Sequence, residues 1–136
     1  MAHMNRAVAS LRIIGDDLDP DKVTAVLCGS PSHTQKKGQP IHSTSDKPSW
    51  PANSGLWRKD AIETEPEDFD LQVRQMLDEL TQDISVWQEL STKYRVDVFC
   101  GWFMSSANEG VDIKPETLLL LGQRGITLGI DIYAPE

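Results

Sequence analysis

Alternation of apolar and polar residues marks several β-strands along the chain. In the segment 7–14, "AVASLRII", Leu11 and Ile13 fall on one face, whereas Ser10 and Arg12 fall on the other. The segment "YRVDVFCGWFM" alternates most strongly, and "ITLGIDIY" near the end repeats the pattern. Since successive side chains of a strand point to opposite faces, each segment predicts a half-buried strand. The inward face predicted for the second segment comprises Val96, Val98, Cys100, Trp102 and Met104.

Apolar residues at helical spacing predict a long helical block and two short helices. Between Phe69 and Leu90 the apolar positions form one amphipathic stripe, and a break is predicted near Gln82. The short helices are predicted to begin at Pro20 and Pro115, because proline suits the first position of a helix.

The two short helices are preceded by the same phrase: "GDDLDP" starts at Gly15 and "GVDIKP" at Gly110, 95 positions later. This match favours duplication of a strand–turn–helix unit over chance recurrence of a common helix start. The second copy has Lys114 where the first has the good N-cap Asp19, so Asp112 is expected to cover the free amides. Duplicated units predict an α+β fold: an antiparallel or mixed sheet with helices on one face, with ferredoxin-like pseudo-duplicated β-α-β units.

A single domain is predicted for residues 5–136, with a long loop over residues 30–54. The opening "MAHM" contains a second methionine and is interpreted as a cloning remnant covering residues 1–4. Within the loop, "SHTQKKG" predicts a short edge strand whose lysines discourage pairing with another chain. After the loop, "GLWRKDA" predicts a further strand with Trp57 and Arg58 on opposite faces.

Net charge narrows the classes of partner. The chain of 136 residues carries a formal charge of −8. This charge argues against nucleic-acid binding and against docking on anionic membranes, both of which need a basic surface. It permits a basic protein partner. With no membrane-length apolar stretch and no signal peptide in the sequence, a cytoplasmic protein is expected.

Candidate chemistry is sparse. His3, His33 and His42 lack metal-ligand spacing, and no catalytic or nucleotide-binding motif occurs, so neither a metal nor a cofactor is predicted. The acidic residues of "GDDLD" are explained as helix-start chemistry rather than as a calcium loop. Cys100, inside a strand pattern, is predicted to be a buried thiol.

The sheet face without helices is the most informative candidate surface. It is predicted to collect Arg12, Asp97, Phe99, Phe103, Asp131 and Tyr133. Exposed aromatic side chains beside charges are typical of a partner or ligand surface. Alternatively, the 30–54 loop with Trp50 folds over this face and closes a second small core. Trp57 with Arg58 is a further candidate, for which the alternative is a core tryptophan beside a surface arginine.

A family resemblance accompanies these patterns. "LRIIGDDLDPDKVTAVL", "GLWR", "VDVFCGW" and "IKPETLLLLGQRGITLGIDIY" together resemble the uncharacterised bacterial proteins grouped as the "domain of unknown function 4279" family. The resemblance extends from about Val8 to Tyr133. It implies a small bacterial α+β domain. It implies no known activity, and no catalytic residue is carried over.

Three functions remain open on the sequence. The preferred hypothesis is a non-catalytic protein-interaction module that binds a protein partner or itself, for example an immunity-type protein that neutralises a basic toxin. The alternative is a small-molecule-binding or sensor domain with a pocket near the 30–54 loop and Arg58. The third is an enzyme that uses Arg58 with Asp97 or Asp131, which is disfavoured because no nucleophile–base pair is visible.

Overall fold

A mixed sheet and a layer of helices make up the fold. The computed structural model describes residues 6–41, 50–51 and 53–135. The strands are β1 (Arg6–Gly15), β2 (His33–Gln35), β3 (Pro40–Ile41), β4 (Trp50–Pro51), β5 (Gly55–Asp60), β6 (Arg95–Phe103) and β7 (Thr127–Tyr133). The helices are α1 (Pro20–Leu27), α2 (Phe69–Asp78), α3 (Ile84–Lys93) and α4 (Pro115–Gln123).

The main sheet has five strands in the order β2-β5-β1-β6-β7. All neighbours are antiparallel except β6 and β7, which run parallel. A parallel pair needs a crossover connection, and α4 supplies it. The short strands β3 and β4 pair only with each other among the described residues. The predicted α+β class with a mixed sheet is therefore confirmed.

One hydrophobic core lies between the main sheet and the helices. Its buried side chains come from the central strands and from each of the four helices, and they include Leu11, Val98, Val23, Val73, Trp87 and Leu121. Phe69 of α2 meets Trp102 of β6 edge to face, with 6.3 Å between ring centroids. Because only alternate residues of β1 and β6 join this core, the helices cover one face of the sheet.

The repeated phrase does begin two helices, but the N-termini of these helices are capped by different residues. The side chain of Asp19 accepts a 3.1 Å hydrogen bond from the Asp21 amide, which caps α1. Lys114 gives α4 no side-chain cap. Instead Asp70, from α2, accepts hydrogen bonds from the Lys114 amide at 3.2 Å and from the hydroxyl of Thr117. The expectation that Asp112 would take this role is wrong, because a carboxylate from a packed helix occupies the position.

The two repeated units are also followed by different sheet neighbours. After α4, the chain enters β7 directly beside β6, and the two strands are parallel. After α1, it enters β2, which is separated from β1 by β5. The topology therefore does not itself show the ferredoxin-like duplication.

The long helical block is interrupted where the sequence predicts. α2 ends at Asp78 and α3 begins at Ile84. The Gln82 side-chain amide donates hydrogen bonds to the carbonyl oxygens of Leu77 and Leu80, both at 2.9 Å. These bonds hold the Gln82 side chain against the turn that follows α2, where the Leu77 carbonyl also accepts a 3.1 Å hydrogen bond from the Leu80 amide. The predicted break near Gln82 is confirmed.

The predicted loop over 30–54 contains short strands. β2 lies at the outer edge of the sheet and pairs with β5, so the expected edge strand in "SHTQKKG" is confirmed. Residues 42–49 and 52, the side chain of Trp50 and the proposed cloning remnant all lie outside the described residues. The alternative in which Trp50 covers the sheet therefore stays a prediction. Within the described ranges, no helix has the length and apolar character that a membrane crossing requires.

Candidate functional site

The sheet face opposite the helices brings seven of the predicted residues together. Arg12 of β1 lies opposite Asp97 of β6 and opposite Arg58 of β5. Opposed residues of paired strands share a face, so these charges belong to one surface. We name it the helix-free face and define it by Arg12, Arg58, Asp97, Phe99, Phe103, Asp131 and Tyr133.

A forked ion pair stands at the centre of the helix-free face. Arg12 donates through Nε to Asp97 Oδ1 at 2.8 Å and through Nη2 to Asp97 Oδ2 at 2.7 Å. The Asp97 side chain is 1% exposed and that of Arg12 is 27% exposed. The hydrogen bonds that Arg12 donates to Asp97 raise the pKa of the Arg12 guanidinium. Two parallel charge-assisted bonds fix both side chains, so the pair forms a rigid platform on the face.

Two further contacts extend this platform. The guanidinium of Arg12 lies over the ring of Phe99, 4.6 Å from its centroid, in a cation–π contact. Arg95 approaches the same carboxylate, with 3.4 Å between its Nη2 and Asp97 Oδ2. Both oxygens of Asp97 are thus engaged by arginines, which makes this carboxylate a poor candidate for a general base.

A stacked aromatic pair occupies the other end of the face. Phe103 and Tyr133 lie opposite each other on β6 and β7, with 4.7 Å between ring centroids and 7° between ring planes. Tyr133 is 44% exposed. The neighbouring Asp131 raises the pKa of the Tyr133 phenol, because ionisation would break their hydrogen bond and bring two negative charges together. The pair offers a flat apolar surface with a polar rim.

A shallow groove runs beside the forked ion pair. Its volume is about 550 Å³, and its lining comprises Val8, Ser10, Arg12, Arg58, Asp60, Ala61, Glu63 and Phe99. Arg58 Nε lies 3.0 Å from Asp60 Oδ1, and the same oxygen accepts a 2.8 Å hydrogen bond from Ser10. Sequence reasoning missed Asp60 and Glu63. Alternation within "GLWRKD" could have placed Asp60 beside Arg58, because the two are separated by one residue.

Trp57 lies on the opposite side of the sheet from Arg58. It is fully buried in the core, and its Nε1 donates a 3.0 Å hydrogen bond to Thr24 of α1. A partner cannot reach this side chain without unfolding the helix layer. The structure therefore removes Trp57 from the candidate surface and matches the alternative of a core tryptophan beside a surface arginine.

The other titratable groups that the structure describes show no metal-binding arrangement. Across residues 6–41, 50–51 and 53–135, no group of three or more His, Cys, Asp or Glu side chains is placed to hold a metal ion. Cys28 is exposed, and Cys100 is buried as predicted. Burial raises the pKa of the Cys100 thiol to about 12. Because the thiolate is the nucleophilic form, Cys100 is held inert.

Comparison with known protein families identifies a match over almost the whole chain. The family model described as "Domain of unknown function (DUF4279)" matches residues 4–135. No curated protein and no solved structure matches the chain.

Proposed function

The chain belongs to the DUF4279 family of domains of unknown function, and we propose that it is a non-catalytic protein-interaction module. In this proposal, the helix-free face binds the partner. The forked Arg12–Asp97 pair would act as a rigid support, and the aromatic side chains would make the contacts. The engaged state of Asp97 favours this role over a catalytic one.

The stacked Phe103–Tyr133 pair is the observation that carries the proposal. Its ring planes are nearly parallel, and Tyr133 remains accessible on a face that no helix of the described chain covers. Tyrosine and arginine are enriched among the residues that dominate binding energy at protein interfaces. Both are present here, and both are already held in place, so little side-chain entropy is lost on binding.

Charge indicates the kind of protein partner. The chain carries −8 overall, whereas the arginines of the helix-free face are matched by nearby aspartates. The excess negative charge therefore lies largely away from the contact surface, where it attracts a basic partner over a distance. An immunity-type protein that neutralises a basic toxin is one version that fits this distribution.

Site-specific photo-cross-linking in the native host tests the proposal. A photoreactive amino acid replaces Tyr133 on the helix-free face, and in a matched control it replaces Gln88, which is exposed on α3. We expect one defined protein adduct from position 133 and none from position 88. Equal yields of that adduct from both positions, or no adduct from position 133, would contradict the proposal.

Binding by purified proteins completes the test. The protein identified through the adduct is titrated calorimetrically with the wild-type chain and with Tyr133→Ser. Removal of an aromatic residue of this kind costs at least about 2 kcal/mol, which weakens binding by roughly 30-fold. An affinity that changes by less than about threefold would remove the helix-free face as the binding surface.

A small-molecule-binding role is the second candidate. The groove of about 550 Å³ contains both Arg12 and Arg58, and a forked guanidinium suits a carboxylate or phosphate. A thermal-shift screen with small dicarboxylates and phosphorylated metabolites tests this role. A true ligand would stabilise the wild type and Arg74→Met, since Arg74 is exposed on α2, but not Arg58→Met. Stabilisation of all three proteins, or of none, counts against this role.

We also infer a ferredoxin-like relationship for part of the fold. β1 and β2 are parallel with β5 between them, and β5 and β6 are parallel with β1 between them. This order supports two interleaved β-α-β units, to which α4 and β7 form an addition at one edge. Native-state hydrogen exchange should then open α4 and β7 before the central strands. Equal protection throughout the sheet would argue against an added unit.

A further inference from the structure

The outer edge of β7 is an open hydrogen-bonding edge. The carbonyl of Tyr133 accepts a 3.0 Å hydrogen bond from the Met104 amide, so the peptide groups of Tyr133 point toward β6. Peptide groups alternate in direction along a strand. Those of Leu128, Ile130 and Ile132 therefore point away from the sheet, where no strand of the described chain pairs with them.

Among the described residues, this edge has little of the usual protection against pairing with another chain. Ile130 is 40% exposed and Ile132 is 57% exposed. Their side chains lie on the helix side of the sheet, opposite Tyr133. α4, which packs on β7, adds Leu118 and Leu119, both more than half exposed. The edge has seven residues and contains neither lysine nor proline, two residues that natural edges use to block pairing, and its single charged residue is Asp131.

The opposite edge of the same sheet differs in each respect. β2 has three residues and is followed directly by Lys36 and Lys37. Short length and lysine are both devices that keep an edge single. The contrast indicates that the β7 edge, unlike the β2 edge, is suited to pair with a strand of another chain.

We propose that β7 pairs antiparallel with β7 of a second copy about a two-fold axis at Ile130, joining two sheets into one. This inference concerns the sheet edge and does not rest on the function proposed for the helix-free face. In this register Ile130 faces Ile130, Leu128 faces Ile132, and Gly129 faces Asp131. The outward peptide groups of both strands then lie opposite each other, and each such pair exchanges two N–H···O bonds.

Side-chain complementarity supports this register and favours a second copy as the occupant. Leu128, Ile130 and Ile132 of the two strands meet on the helix side and bury one another. Each Asp131 lies beside a glycine, so no carboxylate faces a like charge. An axis at Asp131 would place two carboxylates opposite each other, which is destabilising. A one-residue slip would turn the apolar side chains of one copy to the other face.

Disulfide cross-linking of the full chain tests both the pairing and its register. In a Cys28→Asn background, Ile130→Cys places two thiols across the axis, where paired Cα atoms are about 5.5 Å apart and a disulfide can form. Asparagine tolerates the left-handed backbone at position 28, where φ is 57°. The matched variant Ile132→Cys faces Leu128 of the other copy, so its thiols are far apart. We expect position 130 to cross-link at least tenfold faster than position 132.

Sedimentation equilibrium of the unmodified protein provides a measurement that needs no cysteine. Wild type should form a dimer, and Ile130→Lys should weaken it by at least 30-fold because two lysines would meet at the axis. Thr34→Lys on the β2 edge serves as the control and should leave the dimer intact. Each variant is checked for an unchanged thermal transition. A monomeric wild type at millimolar concentration, or a dimer insensitive to Ile130→Lys, would overturn the inference.

The two proposals fail independently. Ile130→Lys leaves the Tyr133 ring in place, so photo-cross-linking from position 133 should persist in this variant if the helix-free face binds a separate partner. Loss of the dimer with retention of the adduct supports both proposals. An adduct that proves to be the chain itself and disappears with Ile130→Lys supports the dimer and removes the separate partner.

Discussion

Replacement of Arg12 by methionine tests whether the forked ion pair holds the helix-free face together. Methionine keeps an apolar stem of similar length over Phe99 and removes the guanidinium. The change leaves the Asp97 carboxylate buried, with Arg95 as the cation that approaches it, at 3.4 Å. The side chain of Arg95 is 70% exposed, so it can give only partial compensation.

The expected loss in the free energy of unfolding lies between the values for a buried and for an exposed ion pair. Removing one partner of a fully buried ion pair costs about 3–5 kcal/mol. Exposed ion pairs are worth about 0–1 kcal/mol. Because Arg12 is partly exposed and Arg95 remains, we expect a loss of about 2 kcal/mol in the free energy of unfolding. For a domain of this length the melting temperature should fall by about 7 °C.

Urea denaturation followed by tryptophan fluorescence measures this loss. The slope of free energy against urea should be the same in wild type and Arg12→Met, since only stability is expected to change. Arg95→Met is the matched control, and it should cost less than about 0.5 kcal/mol. If the two variants lose equal stability, the forked geometry does not distinguish Arg12 from a surface arginine, and the reasoning fails.

Three further predictions concern the cap, the thiols and the tyrosine. Asp70→Ala should destabilise the protein by about 1 kcal/mol through loss of the α4 cap. Asp112→Ala should have little effect on stability. A lower urea midpoint for Asp112→Ala than for Asp70→Ala would contradict the cap assignment. Under native conditions at neutral pH a maleimide should label Cys28 but not Cys100, whose thiol has a pKa of about 12; rapid labelling of Cys100, located by mass spectrometry, would show that it is accessible. In a Tyr94→Phe background, absorbance titration should show the Tyr133 phenol ionising above its ordinary pKa of 10. Asp131→Asn should lower the pKa of this phenol. An unchanged pKa in Asp131→Asn would exclude the carboxylate as the cause.

Much of the fold and part of the site could be predicted because strands and helices have fixed periods. Alternation in "YRVDVFCGWFM" correctly separates Val98 and Cys100, which are buried in the core, from Asp97 and Phe99 on the helix-free face. The break near Gln82 and the helix starts at Pro20 and Pro115 are likewise local signals. Each depends only on residues a few positions apart, which a single sequence displays directly.

The features that the sequence did not predict depend on contacts between distant segments of the chain. Asp70 caps a helix that begins 45 residues later, at Pro115, and no pattern near either residue records the contact. The parallel pairing of β6 with β7 depends on where the crossover helix packs, not on alternation. The ion pair of Arg12 with Asp97 requires the register of β1 against β6. Alternation places both residues on one face but does not place them opposite each other.

The excess negative charge and the proposed contact surface lie in different parts of this chain. Near the start of α1, Asp16, Asp17, Asp19 and Asp21 fall within six residues and contribute strongly to the overall charge of −8. On the helix-free face, Arg12 and Arg58 are instead matched by Asp97 and Asp60. Long-range attraction sets the rate at which charged partners meet, whereas buried aromatic and arginine contacts set how slowly they separate.

This division predicts how salt acts on the two proposed contacts. For a basic partner, added salt should slow association while leaving dissociation nearly constant, because screening acts on the exposed acidic residues. For pairing of two copies through β7, each copy carries the same charge, so added salt should strengthen the contact by screening repulsion. Stopped-flow binding and sedimentation across a salt series measure both responses. The same sign of salt effect on both would mean that one of the two contacts has been assigned to the wrong chemistry.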